Sequence, residues 1–399
     1  MSKEKIVLAF SGGLDTSYCL IDLKQRGYEV HAVFVDTGGV SDEEKQYIED
    51  RAVALGADQY HLLDASTELW NDFVKPLIWS HAKMLDSYPL LCSDRYMIVA
   101  KSLELADKLG TNIFAHGCTG MGNDQLRFDQ TVRSLGDYQI IAPIRELQSK
   151  TTAVRDYEID MLEKAGHEVR LSNSKYSINE NLLGVTTSGS EIDDFKAPSE
   201  DSRLLCKPRD QWPEGPLQVD ITFEKGVAVA LNGEAMAGPA LLAKLNQLFG
   251  DYGVGRFIYT GDVTIGLKGR IVFECPGVTA LQTAHKALED ACNTRFQNQF
   301  RHTISQRWAE LVYTGFFYEP HVRDLEAYLK SSQSTLNGVV TLETNGGEVQ
   351  AVALKSDHIL VAEGATYAQS ASWTPEEAVG FIKLLGQSSS LWAQTNRDK

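Results

Sequence analysis

Apolar residues come in two textures along this chain. In the first 165 residues, short runs that are apolar nearly throughout alternate with segments of helical period: Lys5–Phe10 (KIVLAF), residues 29–36 (EVHAVFVD), 58–65 (DQYHLLDA), 112–117 (NIFAHG) and 138–143 (YQIIAP). Such runs separated by helices predict strands of a parallel sheet covered on both faces. The intervening helices are expected at Asp15–Arg26, with Cys19, Leu20 and Leu23 on one side, and from a Ser41/Glu44 capping box through Leu55. Further helices are expected over residues 68–84, 94–109 and 152–165. This is a doubly wound α/β domain, whose ligands belong at the carboxyl ends of its strands. The loops after Phe10, Val35 and Ala115 are such ends.

Beyond residue 169 the pattern changes. Residues 187–216 are rich in Ser, Asp and Pro and read as a long irregular crossing. Alternating segments then predict a hairpin over 217–233, a helix over 239–250, more strand over 257–277, and a long helical stretch to about Tyr313. A further hairpin is expected to turn at Asn345–Gly346. The tail carries Thr374 as N-cap, Pro375 at the first helical position and Glu377 to complete a capping box. A helix with Phe381, Ile382, Leu384 and Leu385 in this tail is expected to dock, on its own chain or on a neighbouring subunit. The expected division is 1–168 for nucleotide binding, 169–370 for an α+β domain, and 371–399 for the terminal helix.

A length of 399 residues supports two domains with a tail, and 43% hydrophobic with 23% charged residues describes a globular protein. The start MSKEKIVLAF has no signal-peptide shape and no run approaches the ~20 apolar residues of a membrane span, so a cytoplasmic protein with no membrane partner is expected. The net charge of −16 and the lack of a Lys/Arg run oppose a nucleic-acid partner. Six scattered cysteines at no metal spacing read as free thiols.

Candidate chemistry concentrates in two loops. Ser11-Gly12-Gly13-Leu14-Asp15-Thr16-Ser17 follows a strand and opens a helix. Glycines admit an anion to backbone N–H groups, the hydroxyls add donors, and the helix dipole favours negative charge there. There is no lysine and no Gly-Lys-Ser, so this is not a Walker A loop, and the spacing is not that of a dinucleotide fold. Asp15 would repel phosphate unless Mg²⁺ lay between them, which points to metal-bound pyrophosphate. An ordinary capped turn is the plainer alternative. The second loop, Ala115–Phe128 (AHGCTGMGNDQLRF), offers Asn123 and Asp124 for an ammonium and the Arg127 fork for a carboxylate. His116 reads as a satisfied strand-end histidine.

SGGLDTS after a strand resembles the PP-loop of the N-type ATP pyrophosphatases. Together with HGCTGMGNDQLRF, IAPIRE, YSINENLLG, GVGR and GFIKL, in family order from end to end, it resembles the argininosuccinate synthase family. The resemblance implies an ATP-dependent ligase in arginine biosynthesis that joins citrulline to aspartate through a citrullyl-adenylate, with Mg²⁺ carried by ATP, and works as a homotetramer. It further implies ATP contacts from Ala9, Phe10, Ser11, Gly12, Gly13, Leu14, Asp15, Thr16, Ser17, Val35 and Gly117. Thr119, Asn123 and Asp124 would hold aspartate; Tyr88, Ser93, Asn123, Arg127, Ser177 and Thr186 would hold citrulline. Asp15, Asp124 and Arg127 are the expected catalytic group, with Asp124 orienting the aspartate amine. The chain departs from the family pattern at the citrulline end. Tyr96 falls on a family arginine position, with Arg95 beside it; Gly261 stands where the family has a citrulline-binding Glu, with Asp262 adjacent; Phe273 replaces a tyrosine; and Thr186 replaces a serine. The expectation is the same reaction through a rearranged pocket, with Asp262 and Phe273 as uncertain members. The alternative is a related ligase joining aspartate to another ureido or carboxamide acceptor. A tRNA-thiolating enzyme would want a basic face and a catalytic cysteine, Cys118 being within reach. A glutamine-dependent synthetase would need an amidotransferase domain.

Overall fold

A computed structural model describes residues 3–169, 175–264, 266–362, 364, 366 and 369–397. Five parallel strands form the first sheet: β1 (Lys5–Ala9), β2 (Glu29–Asp36), β3 (Gln59–Asp64), β4 (Ile113–Ala115) and β5 (Gln139–Ile141), in the order β3-β2-β1-β4-β5. The inner strands β1 and β4 are enclosed almost throughout and the edge strand β3 is half-exposed. That gradient explains why the inner strands read as continuous apolar runs. On one face Cys19, Leu20 and Leu23 of the helix Leu14–Gln25 pack with Ile6, Leu8, Val30 and Ala32. The helix Asp94–Leu109 packs against β1 and β2 and buries Val99, Leu103 and Ala106. Each such buried aliphatic side chain contributes roughly 1.5–3 kcal/mol. The chain reverses its direction of winding between β1 and β4, so the loops leaving those two strands part to form a crevice.

Two antiparallel sheets follow. One has five strands, from Glu234–Ala235 through Val227–Leu231, Leu217–Glu224 and Gly338–Gly346 to Glu348–Lys355. The other has four, ordered Arg256–Asp262, Lys268–Glu274, Gly184–Ser188, Ser177–Asn181. Residues up to His358 form one compact unit and those from Ile359 a second. In the second unit the helix Pro375–Leu385 carries the full Thr374/Glu377 capping box, and Phe381, Ile382, Leu384 and Leu385 are exposed.

Several elements depart from the sequence reading. The helix expected at 68–84 is broken into Ser66–Leu69, a π-helical turn Trp70–Val74 and Lys75–Ser80, ending at His81 in the left-handed region. Pro76, with no N–H to give the preceding turn, sits where the register changes. The stretch to Tyr313 is two helices, Pro276–Cys292 and Arg295–Tyr313, because Thr294 opens a new capping box with Gln297. The helices Asp124–Leu135 and Pro320–Ser332 and the hairpin 177–188 were not expected. The last hairpin turns at Gly346 and Gly347, both at positive φ, one residue later than expected.

The crossing 187–216 is irregular, with three short 3₁₀ turns, and is pinned by one buried carboxylate. Glu274 accepts the N–H groups of Leu204, Leu205 and Cys206 at 2.9, 2.6 and 3.0 Å and pairs with Arg256. Arg256 also donates to the Ser202 carbonyl and hydroxyl. The arginine of GVGR is therefore an anchor of the crossing.

Candidate active site

The loop after β1 is shaped by Gly12, whose φ of +75° lies in the left-handed region and whose missing Cβ would stand 3.1 Å from Ile48. Gly13 precedes the helix in extended conformation and no side chain caps that helix end, so its first N–H groups stay free for an anion. Ser11 and Thr16 hydroxyls lie 3.2 Å apart, and Ser17 Oγ accepts from Arg51. The second strand-end loop approaches closely: a Cβ on Gly117 would stand 3.1 Å from Thr16. Ala9, Phe10 and Val35 are buried in the core, so only their backbones can face a ligand, whereas Ser11 and Gly13 are exposed.

Behind this loop lie two carboxylates. Burial raises the pKa of Asp15, against the pull of Arg155. Glu158, on the helix Val154–Lys164 that packs against Leu14–Gln25, is buried with Oε1 unpartnered. Burial, with Asp15 adding to it, pushes its pKa up to about 8. A cation brought in with phosphates suits this pair, since it offsets negative charge on both sides. Because the folded pKa of Glu158 exceeds its unfolded value, its contribution to stability is complete below pH ~4.5 and is lost as pH rises through 8. Glu158→Gln removes that dependence. The stability of the variant relative to the parent is expected to rise by on the order of 3 kcal/mol between pH 5 and 8.5, read from melting curves. Parallel curves would contradict the assignment.

The second loop and three neighbouring elements enclose a cleft of about 170 Å³. Asp124, at the start of the helix Asp124–Leu135, is its hub. Its Oδ2 accepts from Arg95 Nε and Nη2 at 3.3 and 3.2 Å, and its Oδ1 from Arg127 Nη1 at 2.7 Å. Its side chain is 39% exposed, open to the cleft. Desolvation would raise its pKa, but Arg95 and Arg127 outweigh it and hold the carboxyl below the ordinary range. Arg95 is held behind by both oxygens of the buried Asp94, at 2.7 and 2.8 Å, and donates to Asn179 Oδ1 at 2.6 Å. Arg127 also donates to the Tyr313 carbonyl, lies over the Tyr313 ring at 5.1 Å, and leaves Nε buried without a partner. Asn123 Oδ1 accepts from Thr264 N–H, tying in the hairpin.

Of the residues expected to hold citrulline, Tyr88, Asn123, Arg127 and Thr186 line this cleft. Ser93 does not: it is fully buried and its hydroxyl donates to Leu90 O within its own turn. Ser177 is exposed and off the cleft, while Asn179, two residues along the same strand face, lines it. Asp262 points to the opposite face of its strand from Gly261 and pairs with Lys268 at 2.7 Å, so the adjacent carboxylate does not enter the cleft. Phe273 is buried against Tyr88, ring centroids 5.3 Å apart, and braces that ring from behind. On the helix Asp94–Leu109 the Tyr96 side chain is fully buried, stacks on Phe317 and hydrogen-bonds the Val312 carbonyl; the neighbouring Arg95, roughly 100° round the helix, faces the cleft. The sequence reading did not single out Asn179, Tyr259 or Tyr313.

Thr119 is not among the residues lining the cleft; its hydroxyl accepts from Met121 N–H at 3.4 Å. His116 is buried, contacts Asp129 at 3.0 Å and accepts from Cys118 N–H, with burial lowering its pKa. Both ring nitrogens are thus engaged. Burial pushes the Cys118 thiol well up, which makes it a poor nucleophile.

Residues 5–167 match the family model described as the arginosuccinate synthase N-terminal HUP domain, and residues 176–392 the arginosuccinate synthase C-terminal domain. A protein of Xanthomonas campestris pv. campestris named argininosuccinate synthase is 58% identical over all of this chain and all of its own length. One of Xylella fastidiosa with the same name is 56% identical over 100% of this chain and 99% of its own. A more distant one, from Halalkalibacterium halodurans, is 36% identical over 100% of this chain and 97% of its own. With both domain models matched in order and relatives aligned over their full length, the chain belongs to the argininosuccinate synthase family.

Proposed function

We propose that this chain joins citrulline to aspartate, consuming ATP and releasing AMP and pyrophosphate, as its family does in arginine biosynthesis. The observation that carries the reading is the placing of two sites at one sheet edge. An anion-accepting loop at Ser11–Ser17 leaves the carboxyl end of β1, Asp124 and Arg127 follow the carboxyl end of β4 with Arg95 joining them from the helix Asp94–Leu109, and Gly117 closes the distance between the two loops.

The ureido oxygen of citrulline attacks the α-phosphorus of ATP, and the bond to the β-phosphate oxygen breaks with loss of pyrophosphate. Residues Ser11–Ser17 hold that leaving group through backbone N–H groups and hydroxyls. Asp15 would face a Mg²⁺ carried by ATP, whose charge would offset that of the phosphates. The aspartate amine then attacks the ureido carbon, the carbon–oxygen bond to AMP breaks, and the amine gives up a proton. Asp124 orients that amine, with Thr119 and Asn123, while its two guanidinium partners keep it ionised. Arg127, Tyr88 and Thr186 hold the acceptor. Most of the rate comes from positioning two amino acids against one phosphate.

In this reading residues 1–168 form the nucleotide-binding domain, 169–370 a synthetase and multimerisation domain, and 371–399 the terminal helix and tail. That helix, with its exposed Phe381, Ile382, Leu384 and Leu385, supports a homotetramer built by exchange between subunits. Among the described residues no helix is long and apolar enough to cross a membrane, consistent with action in the cytoplasm. Product analysis from Mg-ATP tests the reading. AMP, pyrophosphate and argininosuccinate are expected in equal amounts only when citrulline and aspartate are both present. Release with aspartate and some other acceptor, but not citrulline, would overturn the choice of substrate.

A further inference from the structure

The cleft wall opposite the arginines is the hairpin of residues 256–274. By strand alternation Tyr259, Gly261 and Val263 face the cleft, with Ile271 and Gly269 paired across from Tyr259 and Gly261. Among the described residues this wall presents no carboxylate to the cleft. The one lining carboxylate, Asp124, is already shared by two guanidiniums, and Asp94 is spent behind Arg95. An acceptor bound against this wall meets no carboxylate of the hairpin with which to pair an ammonium.

Gly261 is explained by its neighbour. A Cβ on residue 261 would lie 2.2 Å from the Tyr259 hydroxyl and 2.4 Å from its ring carbon Cζ. The phenol occupies the space that a side chain at 261 would enter, so one placed there would have to displace it. Tyr259 is only 5% exposed, rests beside Tyr88 with ring centroids 5.4 Å apart, and its buried hydroxyl has no hydrogen bond of ordinary geometry. A buried polar group left without a partner costs about 1–3 kcal/mol, so a ligand that satisfies it gains by that amount. Burial raises the Tyr259 pKa, and the Tyr313 hydroxyl facing it lowers it less, so the phenol stays neutral at working pH.

We propose that Tyr259 is a specificity-determining residue whose hydroxyl binds the α-carbon end of the acceptor, in place of a side chain at 261, and that the pocket therefore does not require a positive charge on the acceptor's α-nitrogen. The substrate class is an ω-ureido carboxylic acid, of which citrulline is one member. This rests on the ligase reading above, and wild-type turnover of citrulline tests that reading by itself.

The experiment compares citrulline with its des-amino analogue, 5-ureidopentanoate, by pyrophosphate release in the presence of aspartate. The wild type is expected to lose less than about tenfold in kcat/KM without the amine, whereas a site built around an ion pair rejects such an analogue by ~10⁴. Tyr259→Phe, which keeps the ring and its packing, is expected to raise the citrulline KM about tenfold with kcat within about threefold and ATP KM unchanged. Gly261→Glu alone collides with the phenol and loses acceptor binding. The pair Tyr259→Ile/Gly261→Glu regains citrulline binding and discriminates against 5-ureidopentanoate by roughly a hundredfold or more. An active wild type that rejects 5-ureidopentanoate by ~10³ or more, or an unchanged citrulline KM in Tyr259→Phe, overturns the role of Tyr259 and leaves the ligase reading standing.

Discussion

Asp124→Ala is expected to abolish product formation, with kcat down by at least ~10³, while ATP affinity moves by less than about threefold. The expectation rests on what the carboxylate does to its neighbours. Three guanidinium hydrogen bonds converge on it, and removing it takes from Arg127 its carboxylate partner and leaves Arg95 with Asp94 alone. The loss falls on the guanidiniums that position both amino acids, so it shows in turnover. The phosphate-holding loop shares none of those hydrogen bonds, so ATP should bind as before. Steady-state pyrophosphate release and equilibrium ATP binding on the same preparation separate the two effects. Weakened ATP binding with residual turnover would remove Asp124 from the chemistry.

Arg95→Met should be nearly as damaging, and more so to the fold. Asp94 is 3% exposed and gives both oxygens to Arg95; without the guanidinium it is a buried charge with no counterion. A cost of about 3–5 kcal/mol corresponds to a melting temperature lower by roughly 4–6 °C in a chain of this size. Asn179 Oδ1 and Asp124 Oδ2 lose their donor at the same time, so acceptor KM should rise by ~10² or more. Arg95→Lys should rescue little, because one ammonium cannot serve Asp94, Asp124 and Asn179 in three directions. A variant that melts like the parent and keeps its acceptor KM would show the cluster to be incidental.

How much of this was legible in the sequence depended on periodicity. The parallel sheet was, because its inner strands are enclosed on both faces and read as unbroken apolar runs. Loops at strand ends were legible too, since Gly12 and the hydroxyls around it have a local, backbone-level reason to be there. The acceptor pocket was only half so. Arg95 and Tyr96 are adjacent in sequence but point roughly 100° apart, and helix phase relative to the cleft is set by tertiary packing. The hairpin of residues 256–274 posed the same difficulty with period two: Asp262 looked like a substitute for a missing carboxylate, yet alternation turns it outward and brings Tyr259 and Gly261 in. Ser177 and Asn179 differ by one full strand repeat, and only the position of the strand end separates them. Glu274 and Arg256, buried and paired, resemble site residues in sequence; their role as anchors of the 187–216 crossing needed the fold.

The central claim is that citrulline is activated by direct attack of its ureido oxygen on the α-phosphorus of ATP in the crevice between β1 and β4. Citrulline labelled with oxygen-18 in the ureido group, turned over with Mg-ATP and aspartate, tests this most directly. The account predicts one labelled oxygen in the phosphate of every AMP formed and none in pyrophosphate. AMP free of label, with argininosuccinate still produced, would contradict it.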